Sequence, residues 1–230
     1  MAEVGVDIER AAAYLRQGQL VAIPTETVYG LAGNALDVKA VSSIFETKNR
    51  PSFDPLILHV GSLEQVKPFV SSFPEKLKRL AEAFWPGPLT VLLPRNASVP
   101  DLVTSGLDRV AVRVPNHPLT LALLAQLDFP LAAPSANPFG YISPTQAAHV
   151  AAQLGLQIPY ILDGGVCAVG LESTIVGMEG EQVVIYRLGG LDLSKIEAVV
   201  GAVTVQAHSS SNPSAPGQLA SHYAPRKPFV

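Results

Sequence analysis

A chain of 230 residues, 48% hydrophobic and 15% charged, is long enough to bury one sizeable core and too apolar to be a disordered segment. Its formal net charge of −3 gives no global pull toward nucleic acid, so any basic feature has to be a local cleft. The single cysteine, Cys167, excludes an intrachain disulfide and a Cys-rich zinc site, and it suits a reducing, cytoplasmic setting. The amphipathic, acid-bearing start has no apolar h-region, so no secretory signal is expected. No run reaches the length of a membrane span.

In chain order, residues 8–16 are predicted to be a helix with Ala11, Ala12 and Leu15 on one face, closed by Gly18. Residues 19–23 form a strand that runs into a polar Thr25-Glu-Thr27 turn. Residues 39–47 form a helix with Val41, Ile44 and Phe45 inward, ending at Lys48-Asn-Arg50. Residues 55–60 form a strand that carries His59. Residues 62–70 and 74–84 are helices, and Trp85-Pro-Gly-Pro88 is a rigid stop. Residues 89–93 and 110–114 are strands, 118–127 a helix, 130–133 a short strand and 145–154 a helix. Strands at 160–162, 173–177 and 183–187 and a helix at 193–199 complete the pattern. Interleaved strands and helices point to an α/β fold, and the uneven alternation to a mixed sheet. Residues 209–217 read as a linker.

Several polar groups stand out against this apolar frame. Lys48 offers a point charge and Arg50 a planar fork, both suited to phosphate. Pro51 disfavours α-helix at Arg50, so both cations are expected on a loop. A solvated pair at a helix C-terminus is the plainer alternative. Ala133-Pro-Ser-Ala-Asn137 places Ser135 and Asn137 on a loop after a strand, where ligands of open sheets gather or where a turn bonds to itself. Ser143-Pro-Thr145 reads as a helix start, with Ser143 near the cap and Pro144 at the first position. Arg113 within Val110-Ala-Val-Arg-Val114 has to be paired, serve a ligand or face water at an edge. His59, within Leu56-Ile-Leu-His-Val60, is a hydrogen-bonded core residue or a ligand contact. Arg187 is a third cation at a strand end. Gly170-Leu-Glu-Ser-Thr174 brings polar groups to the start of another strand. The Walker and G-x-G-x-x-G patterns are absent, and no Ser–His–Asp or His-rich metal set is evident.

Eight ordered segments together resemble the YrdC family of threonylcarbamoyl-AMP synthases. They are Pro24-Thr-Glu-Thr-Val-Tyr-Gly30, Lys48-x-Arg50-Pro51, Pro55-Leu-Ile-Leu-His59, Trp85-Pro-Gly-Pro-Leu-Thr90, Val110-Ala-Val-Arg113, Pro134-Ser-Ala-Asn137, Glu172-Ser-Thr-Ile175 and Tyr186-Arg-Leu-Gly189. The tail, Ala215-Pro-Gly217 and Ser221-His-Tyr-Ala-Pro225, resembles the linker of the longer branch, in which a small C-terminal domain follows. The chain is therefore expected to comprise a catalytic domain over residues 1–205 and a linker over 206–230, as a truncated or a natural form.

The resemblance implies an α/β fold with a twisted mixed sheet, flanking helices and a large concave cavity. It implies conversion of L-threonine, bicarbonate and ATP to threonylcarbamoyl-adenylate and pyrophosphate, with Mg²⁺ accompanying ATP. A downstream transferase complex would then form threonylcarbamoyladenosine at position 37 of tRNAs reading ANN codons. Carried over by position, the threonine site is Thr27, His59, Arg113, the Ala133 backbone and Ser173. The nucleotide site is Lys48, Arg50, Asp54, Arg109, Ser135, Asn137, Ser143 and Arg187, with Tyr223 closing over it. Lys48 and Arg50 are the expected catalytic cations. Asp54 stands where Asn is usual and Arg109 where Thr is usual, and a carboxylate beside phosphate is repulsive unless it binds Mg²⁺ or faces away. Competing readings are a carbamoyl-phosphate-using transferase domain and a double-stranded RNA or tRNA contact or binding module. No membrane association is expected.

Overall fold

The protein is described by a computed structural model covering residues 1–206 and 215–216. Its elements run β1 (Glu3–Gly5), α1 (Ile8–Arg16), β2 (Val21–Ile23), β3 (Gly30–Asn34), α2 (Val38–Lys48), β4 (Ile57–His59), the 3₁₀ helix η1 (Glu64–Phe69) and α3 (Glu75–Phe84). They continue with β5 (Leu89–Pro94), α4 (Asp101–Thr104), β6 (Arg109–Arg113), α5 (Pro118–Ala125), β7 (Leu131–Ala132), α6 (Ala147–Leu154), β8 (Tyr160–Leu162), β9 (Thr174–Glu179), β10 (Gln182–Arg187), α7 (Leu193–Val200) and β11 (Thr204–Val205). Among the described residues the strands join in the order β1-β8-β2-β3-β7-β4-β6-β5-β9-β10-β11. Parallel pairs (β4 with β6, β5 with β9) alternate with antiparallel ones (β5 with β6, β9 with β10), so the sheet is mixed as expected.

Local chemistry sets the element ends that matter for the site. Asp37 caps α2, accepting from Lys39 N at 2.9 Å. The helix stops because Asn49 turns left-handed (φ 49°) and Arg50 N then bonds back to Phe45 O at 2.9 Å. That is a Schellman closure, in which the left-handed residue satisfies the last carbonyls. Lys48 is thus the last helical residue, which corrects the expectation that both cations lie on a loop: Asn49 ends the helix before Pro51 can. The predicted helix start at Ser143 is also corrected. Helix α6 begins at Ala147 with Gln146 at the cap, and the Ser143 hydroxyl instead donates to Glu172 Oε1 at 2.8 Å. The segment over residues 62–70 forms only the 3₁₀ turn η1, which contains Pro68. Strand β3 has no counterpart in the sequence reading. Gly33 occupies it because a Cβ there would stand 2.8 Å from Leu20 Cδ2.

The two sheet faces are covered unequally, and this creates the site. Side chains alternate along each strand, so Leu31, Leu58, Val112 and Val176 face one way. They join Ile44, Leu77, Leu80, Val150 and Ile196 of α2, α3, α6 and α7 in the main core. The opposite face is covered at one end by α1 and α5, where Ala12, Leu15, Leu123 and Leu124 pack on Val21, Ile23, Leu131 and Tyr160. Among the described residues, that face over β4, β6, β5, β9 and β10 carries a small cluster of Ile57, Leu92, Ala111, Ile175, Val184 and Tyr186, capped by Ala215. Each of the larger clusters buries several aliphatic side chains at about 1.5–3 kcal/mol apiece, so the frame tolerates an open, polar stretch beside it. Among the described residues no helix is long and apolar enough to cross a membrane.

Candidate active site

The open stretch holds a narrow polar cleft. Thr25, Thr27, Arg50, His59, Arg113, Ala133, Ser135, Glu172, Ser173, Arg187 and Pro216 line it. His59 and Arg113 are register partners at the ends of parallel strands β4 and β6, so their side chains leave the sheet next to each other. Arg113 is 3% exposed. Its Nη1 donates to Thr27 Oγ1 at 2.8 Å and its Nε to Gly87 O at 3.2 Å. Its Nη2 lies 2.7 Å from Glu26 Oε1, a close ion pair in which neither atom makes an aligned hydrogen bond. The Trp85-to-Pro88 stop therefore does more than end α3: Gly87 N bonds Val114 O at 2.9 Å and its carbonyl holds Arg113.

His59 is neutral. Burial first, and then the Arg113 charge, push its pKa down to about 3. Its Nδ1 lies 3.2 Å from Ile57 O. An uncharged imidazole beside a guanidinium can contact a ligand hydroxyl but cannot act as an imidazolium at neutral pH. Ser173, fully buried, shares a 2.7 Å hydrogen bond with Thr90 Oγ1. Arg187 clamps the same residue, Nε and Nη2 reaching Ser173 O at 3.1 and 2.9 Å and Nη2 reaching Ser173 Oγ at 3.0 Å. This contact requires close backbones. A Cβ on Gly189 would come within 2.3 Å of Glu172 O, which accounts for glycine two residues after Arg187. Ala133 follows β7, and its N–H donates to Ile57 O at 3.1 Å.

At the other end, Arg50 is 8% exposed and faces the cleft. It donates to Asp54 O at 3.0 Å and Pro55 O at 2.8 Å and pairs with Asp54 Oδ2 at 2.9 Å. Asp54 is fully buried against Arg50 rather than lining the cleft, which resolves the repulsion its charge implies beside phosphate. Lys48 is buried too, at 1% exposure, so it is no solvated helix-end charge. Its Nζ donates to the backbone carbonyls of Ser135 and Asn137, fastening that loop to α2. Burial first and the Arg50 charge second hold its pKa well below the usual lysine range, opposed by Glu172 and Asp54. Lys48 is absent from the cleft lining and meets it through the Ser135 backbone. The Asn137 side chain donates to Pro138 O at 3.0 Å and Tyr141 O at 2.7 Å, so it too shapes the loop.

Ser143 and Arg187 line a second, more open pocket that shares Val28, Glu172 and Arg187 with the first. Arg109 sits at the opposite end of β6 from Arg113. Its Nη1 donates to Tyr186 Oη at 2.8 Å and lies 3.2 Å from Glu179 Oε1, with the guanidinium 5.2 Å from the Tyr186 ring. It shares the open face by alternation but not the cleft lining. Tyr223 lies outside the described residues. Sequence reasoning gave no role to Glu26, Thr25, Thr90 or Glu172. Glu26 and Thr25 belong to the same short turn as Thr27, and only the fold shows that Glu26 meets Arg113.

Such a fold, with a polar cleft on the half of a mixed sheet that none of the described helices covers, defines a class of α/β proteins. A family model described as "Telomere recombination" (Sua5/YciO/YrdC) matches residues 13–189, and one described as "Threonylcarbamoyl-AMP synthase, C-terminal domain" matches residues 191–230. The chain belongs to the Sua5/YciO/YrdC family. Threonylcarbamoyl-AMP synthase of Pyrococcus abyssi is 47% identical over 95% of this chain, and that of Bacillus subtilis 45% identical over 97%. The chain spans 65% and 66% of the length of these two relatives. The crystal structure of P. abyssi Sua5 complexed with L-threonine superposes with a TM-score of 0.93 at 45% identity, covering 97% of this chain and 68% of that one. E. coli YciO shares the fold, with a TM-score of 0.76 at 22% identity over 85% of this chain and 100% of its own.

Proposed function

We propose that the chain makes threonylcarbamoyl-AMP from L-threonine, bicarbonate and ATP, releasing pyrophosphate. The carrying observation is the convergence of two kinds of group on one cleft: Thr27, His59, Arg113 and Ser173 on one side, and Arg50, Ser135 and Arg187 around them. The first set suits an amino acid. A guanidinium matches a carboxylate with two parallel N–H bonds, and a neutral imidazole with hydroxyls around it suits a side-chain hydroxyl. The second set suits phosphates. Relatives named threonylcarbamoyl-AMP synthase, and a relative solved with L-threonine, support the same reading.

The threonine amine, once deprotonated, condenses with bicarbonate to a carbamate and water. A carbamate oxygen then attacks the α-phosphorus of ATP, and the bond to the pyrophosphate oxygen breaks. None of the cleft residues is placed as a nucleophile, so the chain acts by positioning and charge stabilisation. Arg113 orients threonine through its carboxylate. Arg50, steadied by Asp54, faces the charge that gathers on the phosphates, and Lys48 holds the Ser135–Asn137 loop against them. Arg187 joins the two halves through Ser173, and Ser143 borders the nucleotide side.

Among the described residues no group of three or more His, Cys, Asp or Glu is placed to hold a metal. Glu172 is the carboxylate in the cleft lining. One carboxylate fits Mg²⁺ that arrives on a nucleotide, since such ions keep waters and phosphate oxygens as their other ligands. When bound, it would offset phosphate charge. Ala215 packs over Ile57 and Ala111, and Pro216 lines the cleft. We assign the linker, with Tyr223, a water-excluding role over the labile adenylate, and a downstream transferase the task of modifying adenosine 37 of tRNA. Pyrophosphate release, with threonine, bicarbonate and ATP omitted in turn, tests the proposal. Release should need all three, and release with ATP alone or with carbamoyl phosphate would reject it.

A further inference from the structure

Glu26 stands between two residues that line the cleft, Thr25 and Thr27, yet does not line it itself. It is 8% exposed and is held from two sides by main chain. Its Oε2 accepts from Asn116 N at 3.0 Å, three residues beyond Arg113, and its backbone carbonyl accepts from Val169 N at 2.8 Å. The carboxylate so fixed sets its other oxygen 2.7 Å from Arg113 Nη2. We propose that Glu26 is a positioning residue for the amino-acid substrate: it balances the Arg113 charge from behind and holds the fork aimed into the cleft. The inference rests on Arg113 as the carboxylate anchor.

Two features favour aim over mere stability. First, the Glu26–Arg113 contact is close but not aligned as a hydrogen bond. Glu26 itself stays out of the cleft lining while Arg113 is part of it, so the charge is compensated from behind without the Glu26 carboxylate occupying the substrate's place. Second, the remaining holds on Arg113, Thr27 Oγ1 and Gly87 O, are neutral acceptors. They fix two edges of the guanidinium but leave the third edge and the net charge to Glu26. A buried guanidinium deprived of its partner moves toward whatever acceptor remains, and a fork turned away loses its two-point match to a carboxylate.

The test compares Glu26→Gln, Glu26→Asp and Arg113→Ala in the full chain. Gln keeps the volume and an acceptor for Asn116 N but removes the charge. Expected for Glu26→Gln is a rise of about tenfold in the threonine KM, with kcat and the ATP KM within about twofold. Inhibition by the amino alcohol in which CH2OH replaces the threonine carboxylate should be unchanged, since it gives the fork nothing to grip. A threonine KM left unchanged, or an equal loss for threonine and the amino alcohol, would overturn the role. Where Glu26→Gln does not fold, Glu26→Asp decides by the same pair of measurements. It keeps the charge and shortens the reach, so a threefold or larger KM rise confined to threonine supports the role and no rise rejects it. An unchanged threonine KM in Arg113→Ala would instead reject the anchor itself, and this inference with it.

Discussion

The two ends of the cleft hold their cations in different ways. Arg113 stands at the end of β6, in register with His59, and is surrounded by side chains and a carbonyl from three other segments. Lys48 and Arg50 flank the end of α2, where backbone carbonyls of nearby loops and the Asp54 carboxylate hold them. A strand position fixes direction before any ligand arrives, which suits a small amino acid read by its carboxylate. A helix end tied to loops fixes a platform whose shape follows the loops, which suits a long polyphosphate.

The widest separation between the ends comes from removing each fork that lines the cleft. Arg50→Ala should lower pyrophosphate release by about three orders of magnitude while sparing threonine binding, because a charge facing the transferred group is lost. Near-normal turnover would reject the phosphate platform. Arg113→Ala should raise the threonine KM by roughly a hundredfold and leave the ATP KM within a fewfold. Lys48→Met tests whether a loop staple matters as much as a charge. Two carbonyls lose their donor, so we expect about 1–3 kcal/mol less stability in denaturant unfolding, with turnover falling alongside. Full activity at reduced stability would show that the Ser135–Asn137 loop keeps its place without the staple.

His59 yields a smaller effect with a definite sign. Its folded pKa of about 3 lies below the ordinary 6.5, so the unfolded chain binds its proton first as pH falls. The contribution is complete above pH 6.5 and lost toward pH 3, roughly 3 kcal/mol between pH 6.5 and 4. Unfolding measured against pH should show that slope, and His59→Gln should lack it. Arg109→Ala should do least to turnover, under about threefold, because the guanidinium is engaged by Glu179 and Tyr186. A large rise in the ATP KM would place Arg109 in the nucleotide site.

Much of this was legible in the sequence. The apolar strands around His59 and Arg113 and the helix before Lys48 follow from periodicity, and a charge inside Val110-Ala-Val-Arg-Val114 demanded a partner. The partner's identity was not legible, because Glu26 and Arg113 are far apart in the chain and only the folded sheet brings the turn after β2 to the end of β6. The same holds for Asp54. Its carboxylate looked misplaced until the chain after Pro51 folded back to pair it with Arg50. Strand β3 escaped because its glycines answer to close packing, Gly33 against Leu20 and Gly30 against Ala133, and not to a period-two pattern.

The division of the cleft is tested most directly by titrating L-threonine, without ATP, into Arg113→Ala and Arg50→Ala and following the heat of binding. Threonine affinity should collapse in Arg113→Ala and stay near the parent value in Arg50→Ala. The reverse order, or equal losses in both, would contradict an amino-acid end built on β4 and β6 and a phosphate end built on the close of α2.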